Sequence, residues 1–293
     1  MLQGESCQGE YGCFLKIERV VDVPLSLPER REAELRLLSD LRLLYGVGDE
    51  HGNKLLADGY ASIPSLVEHP RWGDQARSLL TQWSDPLDLR RVYETVSHWL
   101  PASSPLFLQL LGLVPRERVL FFDLETLGLS NAPIILAALG FLDEGEMRIV
   151  QYLARSFDEE VGILEQVGMA LKGCDLLLSY NGKSFDWTYL RERFSYYGLP
   201  FPYELPHIDL LHHARRAFRD TLPDMRLGTV EDRVLAVSRD ADLPSEDVPE
   251  YYTTYLDTHD PGPLVPIVNH NRQDITSLGL LLDHLLKDSG DGD

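Results

Sequence analysis

From Arg118 onward the chain alternates short apolar runs with helical patterns, and their order leaves few folds open. Val119-Leu120-Phe121-Phe122-Asp123 is apolar up to its final acid, which suits a buried strand. Ile134 to Phe141 and Met147 to Leu153 are two further apolar runs, and Asp143-Glu144-Gly145-Glu146 between strands of this kind makes a hairpin turn. Asp158 to Leu171 has helical spacing. Leu176 to Tyr180 reads as a fourth strand, Phe185 to Tyr197 as a helix stopped by Gly198 and Pro200, and His207 to Leu210 as a short fifth strand. The remainder reads as helices, the last running from about Val265 to Leu286. Three meandering strands, then helix, strand, helix, strand and helices, is the order of an α/β fold, a mixed five-stranded sheet flanked by helices.

Residues 1–115 read differently, as a mainly helical N-terminal region. Glu29 to Tyr45 is rich in Leu, Arg and Glu at helical spacing. Pro64 to Glu68, with Ser62 as its cap, Gln75 to Leu80 and Val92 to Leu100 read as shorter helices, and Pro101-Ala102-Ser103-Ser104-Pro105 as a connector. This region carries no catalytic pattern. The expected division is therefore 1–115 helical, 116–287 the sheet domain, and 288–293 a disordered polar tail.

A chain of 293 residues is ample for a core. No apolar run approaches the roughly 18–20 residues of a membrane span, and Met1-Leu2-Gln3-Gly4-Glu5 lacks the basic and apolar segments of a secretory leader. Cys7, Cys13 and Cys174 form neither a disulfide framework nor a zinc pattern. Cys7 and Cys13 could pair, but the expectation is a reduced cytoplasmic protein without a membrane partner. The formal charge of −20 argues against a protein that coats nucleic acid. It leaves room for a carboxylate site whose charge is offset by bound metal, with only a local basic groove.

Three distant stretches place acids in settings suited to a divalent cation. Asp123 and Glu125 lie two apart at the end of a strand, so their side chains share one side of the backbone. Held that close they repel unless a cation sits between them, and Mg²⁺ or Mn²⁺ prefers such oxygen ligands. Asp186 follows Phe185 after a strand and a glycine-containing turn, at the start of a helix whose apolar face is anchored by Phe185, Tyr189 and Phe194. There it acts either as a ligand or as an acid complementing the helix dipole. Asn181 either locks the turn with its side chain or touches substrate. His270 and Asp274 are four apart, one turn on a helix, where a carboxylate can hold a metal while the imidazole handles the proton of a water.

Together these stretches resemble the DEDD superfamily of 3′–5′ exonucleases, which share the ribonuclease H-like fold. Phe122-Asp123-Leu124-Glu125-Thr126 matches its Asp-x-Glu motif, and Asn181, Phe185 and Asp186 match its Asn-x-x-x-(Phe or Tyr)-Asp motif. The third motif has the spacing of Tyr-x-x-x-Asp with His270 in the tyrosine's place, whereas the histidine branch usually has one more residue between His and Asp. That hybrid looks like the bacterial YprB-like group of ribonuclease H-like proteins. The resemblance covers roughly residues 115–287 and extends weakly to Asp58-Gly59-Tyr60 and His69-Pro70-Arg71-Trp72. It implies that Asp123, Glu125, Asp186 and Asp274 bind two Mg²⁺ or Mn²⁺ ions, with Asp123 bridging both. It implies that His270 orients or deprotonates the attacking water. Thr126, Asn181, Lys183 and Phe185 would meet the substrate, single-stranded nucleic acid or a nucleic-acid 3′ end.

Other features stay open at this level. His207-Ile208-Asp209 is metal-like in composition and Asp209 could support the site from behind its ligands, but a plain structural role is the stronger reading. His212, His213, Arg215, Arg216 and Arg219 form either a phosphate-binding cluster or a solvated helix face. Tyr251, Tyr252 and Tyr255 suit packing more than base stacking. The leading expectation is a metal-dependent nuclease. The rival is a catalytically inactive binding module on the same fold. An aspartyl phosphatase built on Asp123 fits poorly, because Glu125 stands where such enzymes present a second Asp.

Overall fold

Strands β1 (Glu5–Gln8) and β2 (Cys13–Asp22) open the chain as an antiparallel hairpin, its turn closed by Gly9 N–H donating to Gly12 O at 2.9 Å. The structure is a computed structural model that describes residues 2–84, 86–128, 132–201, 204–239 and 243–290. The hairpin corrects the expectation of a helical region from residue 1. It also makes the sheet seven-stranded where five strands were expected. The physical reason is that β2 is half-exposed: Phe14 and Ile17 are buried, while Lys16, Glu18 and Arg19 interrupt the apolar run.

The chain folds as two compact units. One is Leu27–Pro115. It holds helices α1 (Arg30–Ser39), α2 (Asp49–Ala57), α3 (Gly73–Gln82), α4 (Leu89–Trp99) and α5 (Leu106–Gln109). The first helix ends earlier than its leucine spacing suggests. Asp40 turns extended and caps a separate 3₁₀ turn over Leu41–Leu43, accepting from the Arg42 N–H at 3.0 Å. Ser62 does not cap with its side chain; its backbone N–H and C=O are instead both engaged by the Ser65 hydroxyl.

The other unit joins the stretch ending at Ser26 to the chain from Arg116 onward. It contains the hairpin and β3 (Val119–Thr126), β4 (Ile134–Leu142) and β5 (Glu146–Leu153), then α6 (Glu160–Lys172), β6 (Leu176–Ser179), α7 (Asp186–Tyr196) and β7 (His207–Asp209). After these come α8 (Leu210–Phe218), α9 (Leu227–Val230), α10 (Val248–Thr258) and α11 (Leu264–Gly290). The sheet order is β1-β2-β5-β4-β3-β6-β7. Among the described residues only β3–β6 and β6–β7 pair in parallel, with α6 leading into β6 and α7 into β7. The last helix runs past Leu286 into the expected tail, and residues 291–293 lie outside the described residues.

Strand alternation sends side chains to different buried clusters. Leu120, Phe122 and Leu124 pack with Ile163, Val167, Leu190 and Phe194 of α6 and α7. On another cluster, Ile17, Ile135 and Leu153 pack with Val248 and Tyr252 of α10 and Ile267 and Val268 of α11. Gly140, in the middle of β4, lets α11 lie against the sheet. A Cβ there would come within 2.7 Å of Ile275 Cγ2 and 3.1 Å of Phe121 Cβ. Gly140→Ala is therefore expected to destabilise the protein by about 1–3 kcal/mol, the usual scale of overpacking, as read by urea denaturation. The larger Gly140→Val should cost more than Gly140→Ala.

Candidate functional site

Because Phe122 and Leu124 point to the α6–α7 core, Asp123 and Glu125 must emerge on the opposite side of β3. They stand opposite Ala138 and Leu136 of β4, small or apolar residues that offer the carboxylates no partner across the strand. Glu125 is buried. The register breaks between Glu125 and Thr126, where the strand leaves the sheet, and the Thr126 hydroxyl donates to Gly128 O at 2.8 Å.

Asp123 is aimed from α11. The Asn271 side-chain amide donates to Asp123 Oδ2 at 2.7 Å. Asn271 is itself fully buried, and its Oδ1 accepts from Gln151 Nε2 of β5 at 2.9 Å, which also donates to Val268 O at 2.9 Å. This relay crosses from the sheet to α11 and back.

Asp186 reaches the site through a tight turn. Asn181 adopts a left-handed φ of 60°, and Gly182 follows with no room for a side chain. A Cβ at Gly182 would lie 2.7 Å from Ser179 Oγ and 2.9 Å from Asp186 Oδ2. Asp209, not the Asn181 side chain, holds the turn: its two oxygens accept from Asn181 N–H at 2.7 Å and Lys183 N–H at 3.3 Å, while it also caps α8 through Leu211 N–H at 3.1 Å. Asn181 and Lys183 are exposed. Phe185 is 37% exposed and stacks on Tyr189, so it is no anchor; Trp187, Tyr189, Leu190 and Phe194 fill the core from α7 instead.

The acids converge. Burial lifts Asp123 well above the usual carboxylate range, and the charges of Asp274, Asp186 and Glu125 add to it, against the Asn271 hydrogen bond. Burial likewise pushes Asp186 up to about 7, with hydrogen bonds from its own backbone and that of Leu124 opposing and the charges of Asp209 and Asp274 reinforcing. Asp274 is raised by burial, which outweighs the charge and hydrogen bond of Arg239. His270 Nε2 lies 3.6 Å from Asp274 Oδ2 and 4.0 Å from Glu125 Oε1. One ligand atom each from Glu125, His270 and Asp274 falls within 4.8 Å of the others. Buried acids that repel one another, with oxygen donors facing a shared space, fit a divalent cation.

One member of the site is invisible in the sequence pattern. Arg239 donates through Nη1 to His270 Nδ1 at 3.0 Å and pairs through Nη2 with Asp274. Its guanidinium is anchored on Glu231, which is buried and also accepts from the Ser277 hydroxyl. Arg239 sits in the mixed stretch Ala236-Val237-Ser238-Arg239, where nothing marks it. Gln151 was more readable, as the one amide in the apolar run of β5.

The remaining candidates separate cleanly. His207 is buried, hydrogen-bonded to Ser179 Oγ at 2.7 Å, and pushed down to about 3 by burial and by Lys183. His213 is buried among the residues of α8, while Arg215, Arg216 and Arg219 are exposed. Tyr252 is core, its hydroxyl donating to Ala154 O at 2.9 Å. All three cysteines are free thiols. No helix among the described residues is long and apolar enough to cross a membrane.

Comparison with known proteins follows this geometry. The sequence pattern of the RNase_H superfamily matches residues 120–286, more than half of the chain. The chain belongs to the RNase_H superfamily. It is also 32% identical over 179 residues to the uncharacterized protein YprB of Bacillus subtilis (strain 168), a match covering 59% of this chain and 43% of that protein. The chain thus spans less than half the length of that relative. A family B DNA polymerase from the hyperthermophilic archaeon Pyrobaculum calidifontis is similar in structure, with a TM-score of 0.47 and 23% identity over 60% of this chain and 25% of the polymerase chain. Nucleases of the RNase_H superfamily generally use divalent metal ions.

The raised Asp186 carboxyl gives a test that needs no substrate. A carboxyl whose folded pKa lies above its unfolded value holds more protons folded than unfolded between the two. Stability therefore falls as pH rises from about 4 to about 7, and the loss is complete above that range. Asp186→Asn should stabilise the metal-free protein by on the order of 2–4 kcal/mol at pH 8, with the gain fading toward pH 4. Thermal unfolding in EDTA across that range measures it.

Proposed function

We propose that this protein is a metal-dependent nuclease of the DEDD type, acting as a 3′–5′ exonuclease on DNA or RNA. The observation that carries this reading is that Glu125, His270 and Asp274 offer ligand atoms within 4.8 Å of one another, while the charges of Glu125, Asp186 and Asp274 act on the buried Asp123. Asp123, Glu125, Asp186 and Asp274 would hold Mg²⁺ or Mn²⁺, two ions in the reading favoured here. Bound there, divalent ions would supply charge neutralisation at the attacked phosphate and activation of a water.

The chain's own residues would do the rest. Asn271 and Gln151 fix the Asp123 carboxylate, and Asp209 fixes the turn that delivers Asp186. His270 faces the same space and orients the water. Lys183 is exposed at that turn, where its ammonium suits a phosphate, and the half-exposed Phe185 ring offers a face to a base. Thr126 and Asn181 complete the substrate side. In the net reaction a water oxygen bonds to phosphorus and the bond to the 3′ oxygen breaks. The water's hydroxide stays on the phosphate and its proton ends on the leaving oxygen, giving a nucleoside 5′-monophosphate and a strand one residue shorter.

With a single strand labelled at its 3′ end, Mn²⁺ or Mg²⁺ should support release of labelled nucleotide. Asp123→Ala or EDTA should reduce it to background. Undiminished release in either case would overturn the metal-dependent reading. Retention of the strand under EDTA without any product in metal would point to a binding module. Single-stranded DNA, single-stranded RNA and duplex ends, run side by side, identify the substrate.

A further inference from the structure

A guanidinium is a donor only, and this fixes what His270 can be. Each of its nitrogens carries hydrogen and none can accept. Arg239 Nη1 lies 3.0 Å from His270 Nδ1, so Nδ1 must be the acceptor of that bond and can carry no proton. The ring proton then sits on Nε2. Nε2 is the nitrogen turned to the site: it lies 3.6 Å from Asp274 Oδ2, 4.0 Å from Glu125 Oε1 and 3.4 Å from Ser245 Oγ. Its neighbours include two carboxylates, which accept, so an N–H there is matched on both sides.

Arg239 is itself held in place. Its Nη2 donates to Glu231 Oε1 at 2.7 Å, and it pairs through Nε with the other Glu231 oxygen. The Arg239 side chain is 11% exposed and that of Glu231 1%. The buried Ser277 hydroxyl donates to Glu231 from the next turns of the same helix that carries His270 and Asp274. One guanidinium therefore touches both His270 and Asp274 and is braced from behind by a buried acid.

We infer that Arg239 is a positioning residue that locks His270 in its Nε2–H form, keeps the ring from ligating a metal, and makes it a hydrogen-bond donor rather than a base. Both ring nitrogens are then committed: Nδ1 to the guanidinium, Nε2 to its own hydrogen. The metal ligands are left as carboxylates alone. His270 donates Nε2–H to an oxygen of the reacting group, the water or the phosphoryl, and takes up no proton. The proton shed by the water passes through solvent, which in turn protonates the leaving 3′ oxygen, and not through the ring. The tautomer stands on geometry alone, while its catalytic consequence rests on the nuclease reading above.

Two measurements on the full chain decide it. Long-range ¹H–¹⁵N correlation spectra, with His270 identified by the signal lost in His270→Gln, should show hydrogen on Nε2 and none on Nδ1. Arg239→Lys, still a donor only, should keep that signature, and Arg239→Met should lose it to a mixture of forms. Hydrogen on Nδ1 in the wild type, or an unchanged spectrum in Arg239→Met, overturns the inference. The lysine variant keeps the comparison usable if methionine there prevents folding. In the nuclease assay, His270→Gln keeps a donor that cannot accept a proton, and should retain activity within about tenfold, whereas His270→Ala should lose more. Loss in His270→Gln on the scale of a missing general base, about 10²–10⁴-fold, overturns the donor role without touching the tautomer. A wild-type protein inactive on every strand would strike the nuclease reading, and the spectra would still decide the tautomer.

Discussion

Everything in the sheet unit is arranged around carboxylates forced close together away from water. Such a cluster opposes folding, since each ionised acid raises the cost of the next. It persists because the surrounding elements over-determine it. The Asn271–Gln151 relay fixes one acid, a side-chain-free glycine and Asp209 fix another, and the Arg239–Glu231 brace fixes the third. None of these supports touches the sheet's apolar core for its own sake. They spend polar groups in buried positions, where each must be satisfied, to hold an arrangement whose ionised acids repel one another.

Much of this was legible before any coordinates. Apolar runs with an acid at the end announce a buried strand that surfaces at a site, and Val119 to Asp123 does that. The five strands and the crossover helices of the sheet unit follow from periodicity and turn residues. The hairpin Glu5–Asp22 did not, because its two strands lack a continuous apolar run, and β5, the partner of β2, lies far along the chain. Nor did the break at Asp40, where a single capping side chain outcompetes the continuation of a leucine-rich helix.

The site shows the same split. Acids at strand ends and helix starts carry a local signature, but Asp123, Glu125, Asp186 and Asp274 are singled out only by the combination of three stretches and its resemblance to a known motif set. Their supports carry none. Asp209 holds a turn that precedes it by a strand and a helix, and Arg239 reaches two residues of a helix that begins well after it. Such contacts are created by topology, and no spacing rule encodes them. Phe185 departs from its reading as an anchor of the apolar helix face: its ring is exposed.

The helical unit is spliced into the sheet unit's chain, and this orders events during synthesis. Strand β2 leaves the ribosome early, yet the strand it pairs with, Leu15 to Leu153, comes only after all of Leu27–Pro115 has been made. Until then β2 has a half-apolar face and only β1 beside it. Contacts of such sequence separation close slowly. The nascent chain must therefore carry an incomplete edge past a whole intervening body, and Lys16, Glu18 and Arg19 along that strand serve to keep it apart from other edges while it waits.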